Sequence, residues 1–258
     1  MQRPDRRSAF TLMELLIVIA IIGIISGMLF PVVDYVRDKA HKSECMNNLR
    51  QWGAALQGYL DEHRGVFPSY GANKALEKPD VRDPGAWYNV LPPYLADNID
   101  PMSIQAANAH VALPGAGVKT PFLCTSESVG LNENQGFSGD YYSSYTMNSW
   151  IDNSENTKNF TKRLRITQLN EQHDPPVTPA SFVVFAETAV GAYSGVNLSS
   201  LGEKACRHRR SMNLCFADGH VENVHYNHLG CGAKEKQNFG GRQWNPNNPD
   251  LYGKDPEE

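Results

Sequence analysis

The sequence predicts an α+β fold: one long amino-terminal helix, transmembrane in its first half, packed on an antiparallel β-sheet. Three observations predict it. An uncharged apolar run of 19 residues, Leu15 to Val33, lies near the start of the chain. It leads into a helix-periodic pattern that continues to about residue 62. Beyond that point short β-prone runs alternate with turn residues, and two of the runs are joined by Asp218-Gly219.

Composition sets the class. Of 258 residues, 41% are hydrophobic and 20% charged, which excludes wholesale disorder. The net charge of −4 and the pI near 6.1 show no basic bias, so nucleic acid is not an expected partner. Mean hydropathy is −0.46 despite the apolar run, so the remainder is polar, as in a membrane-anchored soluble domain. A polytopic membrane protein is excluded, because a single run is long enough to span.

The apolar run corresponds to roughly 28 Å of helix, close to the hydrocarbon thickness of a bilayer. Arg3, Arg6 and Arg7 precede it against Asp5, net +2. The positive-inside tendency keeps that end cytoplasmic and sends the carboxyl end across the membrane. A secretory signal peptide is the competing reading, but its apolar stretch is shorter and ends in a small-residue cleavage site. Here the stretch flows into Cys45, Met46, Leu49, Trp52, Leu56, Tyr59 and Leu60, one helix face. The spacing predicts a continuous helix over 10–62, kinked at Pro31. Gly23 and Gly27 are spaced for close helix–helix approach in lipid.

Glu14 is a carboxylate at the mouth of an apolar run, a placement that is costly in lipid and calls for a partner. A cut after Ala9 would give Phe10 a free amine and make Glu14 the fifth residue. An amine on a neighbouring subunit could then neutralise the carboxylate. The alternative is a plain signal anchor with Glu14 in the headgroup region.

Gly65, Pro68 and Gly71 mark the turn that follows the helix. Residues 63–231 are expected to form a globular α+β domain. Trp87, Tyr88 and Tyr94 suit core packing better than a sugar-binding surface. Strands are expected at Phe122–Cys124, within Tyr141–Met147 and along Ser181–Ala186. A hairpin of Met212–Ala217 and His220–Val224 is expected to turn on Asp218-Gly219 in the I′ form. The tail, 232–258, is rich in Gly, Asn, Pro and Lys and reads as irregular.

The run from Ala9 to Ile24, Ala-Phe-Thr-Leu-Met-Glu-Leu-Leu-Ile-Val-Ile-Ala-Ile-Ile-Gly-Ile, resembles the amino terminus of the type IV pilin and type II secretion pseudopilin superfamily. The resemblance implies that 1–9 is a leader removed between Ala9 and Phe10 by a prepilin peptidase, although the family usually has Gly where Ala9 stands. It implies N-methylation of Phe10 and a filament-assembly role for Glu14. It implies a non-enzymatic subunit of a secretion pseudopilus or pilus-like filament, partnered by homologous subunits, the assembly machinery and the membrane. The protein would be a single-pass inner-membrane protein with its carboxyl-terminal domain periplasmic or extracellular. The mature chain would carry −4 − (+2) = −6.

A second pattern, His208, nine residues, then Asp218-Gly219, resembles the H-x9-DG motif that accompanies prepilin-like amino termini in large bacterial families. Cys45 to Leu56, Phe67-Pro68 and Ser144 to Asn148 are similar to the same proteins. His208 and Asp218 are read as structural, since no nucleophile elbow, phosphate loop or paired-carboxylate motif accompanies them. Glu187, at the end of an apolar strand, could pair with His208 or a neighbouring arginine.

The five cysteines are Cys45, Cys124, Cys206, Cys215 and Cys231. Export permits disulfides, and the closeness of Cys206, Cys215 and Cys231 favours a pair among them, partners undetermined. No metal or cofactor is expected: the carboxyl-terminal Cys and His residues lack finger spacing. Asp140, Asp152 and Asn153 do not form a calcium loop. The rival function is a membrane-anchored surface protein that uses the pilin export route and binds a glycan or other polymer through Trp87, Trp150 or Trp244.

Overall fold

The structure, a computed structural model, describes residues 12–73, 78–79, 83–96, 99–100, 121–124, 143–148, 151, 164–170, 177–187, 206–225, 228, 238–239, 242–243 and 252–253. The fold is α+β, with a long amino-terminal helix and a four-stranded antiparallel sheet. Compactness divides the chain into Met1–Ala40 and His41–Glu258.

Helix α1 is Leu12–Glu62 and ends where the periodicity predicts; its expected start at Phe10 lies outside the described residues. It stays helical through Pro31; the expected kink falls on 29–32, whose side chains lie outside the description. In the first unit the helix exposes Leu12, Leu16, Ile19, Ile24, Met28 and Val36. An apolar surface of this extent is unfavourable in water and calls for lipid or partner helices. Among the described residues this is the one helix long and apolar enough to cross a membrane.

In the second unit α1 becomes a core helix. Cys45, Leu49, Trp52, Leu56, Tyr59 and Leu60 are buried, in steps of three and four residues that keep them on one face. The helix ends with Arg64 at φ 56° and the Gly65 amide donating to the Leu60 carbonyl at 2.7 Å, a Schellman closure. Strands β1 (Ala72–Asn73) and β2 (Lys78–Pro79) form a small antiparallel pair. Helix α2, Trp87–Val90, follows and runs into a 3-10 turn at Pro92–Tyr94. Trp87 and Tyr88 are fully buried, as core packing requires.

The main sheet runs β3-β4-β5-β6: β3 is Tyr145–Met147, β4 Val183–Glu187, β5 Ser211–Phe216 and β6 Val221–His225. Strands β3, β4 and β5 are buried throughout, so even their polar residues Thr146, Glu187, Ser211 and Asn213 lie in the interior. Phe122–Cys124 is not a strand. Its backbone is held by side chains instead: Trp52 Nε1 donates to the Pro121 carbonyl at 2.8 Å, and Asn48 Nδ2 to that of Leu123 at 3.0 Å. Trp52 packs on Trp87 and Phe122, with centroids 5.2 and 4.8 Å apart, and Trp87 meets Phe185 of β4 at 5.3 Å. These rings join helix, loop and sheet into one core.

The tail is less irregular than its composition suggests. It contributes β7 (Asn238–Phe239), β8 (Arg242–Gln243) and β9 (Tyr252–Gly253), with β7 central, antiparallel to β8 and parallel to β9.

Candidate functional site

Two regions carry the sequence-predicted site residues. The first is the start of α1. Ala9 and Phe10 lie outside the described residues. Glu14 stands exposed in the first helical turn, where the positive end of the helix dipole favours a carboxylate. No atom lies near a Cβ built on Gly23 or Gly27, so this face is open to close approach by another helix.

The second region is built around β5. His208 precedes the strand and Asp218-Gly219 follows it. Six residues of strand span roughly 20 Å, so the nine-residue spacing measures one strand and places the two ends of the motif apart. The motif therefore does not form a catalytic pair.

At the near end, the His208 and Ser211 amides each donate to the other's carbonyl at 3.1 Å. The two residues between them, Arg209 and Arg210, sit at φ 52° and 62°. Two successive positive φ values define the I′ form expected at Asp218-Gly219, and here non-glycine residues adopt it. The turn delivers His208 into the interior, where its Nε2 lies 3.0 Å from Glu187 Oε1. Glu187, at the end of β4, is wholly buried. It accepts hydrogen bonds from the Asn213 amide (to Oε2) and from Asn213 Nδ2 (to Oε1), both at 2.8 Å. Asn223 Nδ2 donates to Asn213 Oδ1 at 2.7 Å, and Lys42 Nζ donates to Asn223 Oδ1. The buried carboxylate is thus anchored through two asparagines to a lysine of α1. The Glu187–His208 contact was legible as one of two options for Glu187; the asparagine relay was not, because it crosses strands.

At the far end, the hairpin turn differs from the expected form. Gly219 N donates to the Phe216 carbonyl at 2.9 Å, and Phe216 N to that of His220 at 3.0 Å. Gly219 has φ 88°, while Asp218 is not among the positive-φ residues. The loop is therefore Ala217-Asp218-Gly219, a three-residue connection closed by a left-handed glycine. Its amides have outside partners, which favours this form: Ala217 N donates to Phe182 O at 2.9 Å and Asp218 N to Pro179 O at 3.2 Å. Asp218 Oδ1 accepts from the His220 amide at 3.1 Å and lies 2.5 Å from its Nδ1. Gln57 Nε2 of α1 donates to the Ala217 carbonyl at 2.6 Å.

A disulfide forms outside the expected carboxyl-terminal group of cysteines. Cys45 of α1 is bonded to Cys124, across 79 residues of sequence. Cys215 is a free thiol, buried between sheet and helix, with its Sγ 3.6 Å from the Phe216 carbonyl. Burial, and then the Asp218 charge, push that thiol strongly up from its ordinary pKa. Cys206 is buried, and Cys231 lies outside the described residues. Cys215, which faces the core, is therefore not part of the expected carboxyl-terminal pair.

The disulfide abuts the buried pair. Cys124 Sγ lies 3.6 Å from His208 Nε2 and 3.9 Å from Glu187 Oε1. One donor atom each from Cys45, Cys124, Glu187 and His208 falls within 4.8 Å of the others. Four residues from four separate segments meet there, so no local spacing announces them.

The polymer-binding rival loses one of its three tryptophans, since Trp87 is buried. Tyr94 is partly exposed and donates to Glu62 Oε2 at 2.6 Å. Trp150 and Trp244 lie outside the described residues.

Residues 4–30 match the prokaryotic N-terminal methylation motif. This supports a prepilin-type amino terminus; the H-x9-DG pattern is not part of the match. The chain is 30% identical over 90 residues to the type II secretion system core protein G of Escherichia coli, 34% of this chain and 62% of that protein. It is 30% identical over 89 residues to the protein of the same name from Klebsiella michiganensis, again 34% and 62%. The chain thus spans under two thirds of the curated relatives it matches. No solved structure matches it.

Proposed function

We propose that the chain is a non-enzymatic pilin- or pseudopilin-like subunit of a type II secretion pseudopilus or a pilus-like filament. The observation that supports this best is that the methylation motif overlaps the exposed apolar part of α1. In this reading residues 1–9 form a leader held in the cytoplasm. A prepilin peptidase cuts between Ala9 and Phe10, and the new amine of Phe10 is methylated. The helix stays in the inner membrane, with the remainder periplasmic or extracellular, until the assembly machinery moves it into a bundle of homologous helices.

Both environments are dry, so the apolar surface changes neighbours without meeting water. Glu14 sets the register. A buried carboxylate alone is expensive, and pairing with the Phe10 amine of the adjacent subunit relieves much of that penalty. The small faces of Gly23 and Gly27 allow close helix contact. The hairpin on Asp218-Gly219 is structural and fixes the sheet against the second half of α1.

Replacing Glu14→Ala tests the reading. Membrane fractions should retain the subunit at normal level, while sheared filament preparations should lose most of it. Normal filament recovery would contradict the pairing role.

A further inference from the structure

We propose that Cys45, Cys124, His208 and Glu187 form a closed site for a zinc-type divalent cation when the Cys45–Cys124 bond is reduced. The inference concerns the globular part alone and does not depend on filament assembly.

The donor set is the first argument. Two thiolates, an imidazole nitrogen and a carboxylate oxygen are a combination that suits zinc. The spacing is the second. A tetrahedral zinc with bonds of about 2.3 Å to sulfur and about 2.0–2.1 Å to nitrogen or oxygen sets sulfur–nitrogen edges near 3.6 Å and nitrogen–oxygen edges near 3.3 Å. The structure has Cys124 Sγ to His208 Nε2 at 3.6 Å and His208 Nε2 to Glu187 Oε1 at 3.0 Å. Cys124 Sγ to Glu187 Oε1 is 3.9 Å. The donors already stand close to the edges of such a polyhedron, and the change required is that the two sulfurs part.

The surroundings are the third argument. All four residues are buried, which suits a structural rather than an open catalytic site. The carboxylate is oriented by both nitrogens of Asn213, itself fixed by Asn223 and Lys42, the outer support that metal carboxylates need. The imidazole is delivered by a turn in which Arg209 and Arg210 hold unfavourable positive φ. Strained backbone of this kind persists where the surrounding structure requires a side chain in a fixed place.

The two states exchange with balanced chemistry. In the reduced chain each thiol gives up a proton and both sulfurs bind the cation, so two protons leave for one ion gained. Oxidation by an external protein disulfide passes two electrons to that disulfide, which takes up two protons and leaves as a dithiol. Cys45 Sγ bonds to Cys124 Sγ, and the cation is released. His208 and Glu187 return to their mutual contact. The site is thus occupied before oxidation and closed afterwards, a redox-dependent exchange of one staple for another.

Cobalt(II) titration of the full-length chain in detergent tests this, with zinc as the competitor. After reduction with a phosphine, one cobalt per chain should bind and give the visible spectrum of a tetrahedral thiolate site, displaced by zinc. The oxidised chain should give no such spectrum. Cys45→Ser should abolish it, and His208→Gln, which removes a ligand, should weaken binding by at least the roughly tenfold that losing an outer-shell partner costs, while keeping the sulfur-to-metal absorption. If reduction alone unfolds the chain, restoration of near-UV circular dichroism by cobalt together with that spectrum supports the site. A folded, reduced chain with no cobalt spectrum would overturn the proposal. So would a reduced, unfolded chain that cobalt does not restore, or binding that survives Cys45→Ser combined with Cys124→Ser.

Discussion

A Cβ built on Gly53 would stand 3.0 Å from the Gly219 carbonyl oxygen and 3.1 Å from its Cα, so helix α1 and the hairpin meet backbone to backbone. The Cys215 sulfur closes the same space at 3.0 Å. Both glycines are needed, one to clear the contact and one to hold φ 88° in the turn. Gly53→Ala gains up to about 1 kcal/mol of helix propensity but overpacks against atoms that cannot move, at about 1–3 kcal/mol. The expected result is a lower midpoint in thermal unfolding. Gly58→Ala meets the movable Tyr94 ring at 3.0 Å and should change the midpoint less.

The left-handed pair Arg209-Arg210 predicts an opposite outcome. Asn and Gly adopt this turn with far less strain. Replacing the two with Asn-Gly should stabilise the protein by about 1 kcal/mol, read as a higher urea midpoint. A lower midpoint would show that the arginine side chains outweigh their backbone cost.

The cysteines predict a peptide map. Non-reducing digestion should recover Cys45 joined to Cys124, and Cys215 should alkylate only after denaturation. Losing the cross-link by Cys45→Ala in metal-free buffer should destabilise the fold by about 2–5 kcal/mol. The raised Cys215 pKa contributes stability that is complete below the ordinary thiol value and falls as pH rises above it. Cys215→Ala should remove that alkaline loss.

Tyr94 predicts a second alkaline effect. The hydrogen bond to Glu62, followed by burial and the Glu62 charge, raises its pKa to about 12 from 10.0. A raised pKa means that the folded state holds the proton longer. Its stabilising contribution is therefore present below pH 10 and is lost as pH climbs towards 12. Ultraviolet titration, taken as the difference from Tyr94→Phe, should place this phenol near 12. Glu62→Ala should bring it down towards the ordinary value.

The long helix and the sheet strands were legible because their signals are local. An uncharged run, a three-and-four periodicity and a continuous apolar strand each report on neighbouring residues. The partnership of Glu187 and His208 could be named as one of two options because strand end and motif histidine were both visible. The turn forms and the disulfide could not be read in this way. Asp218-Gly219 takes a three-residue form because the loop amides bond to Phe182 and Pro179, contacts set by tertiary structure. Cys124 reaches Cys45 because Trp52 and Asn48 clamp its loop to the helix, and neither side chain advertises that role in the sequence.

The proposed processing removes a leader and leaves Phe10 as a modified first residue. Mass spectrometry of the amino-terminal peptide of the native protein, isolated from membranes, tests it most directly. The expected peptide begins at Phe10 and carries one added methyl group. A native population that begins at Met1 alone, with Ala9 and Phe10 still joined, would contradict it.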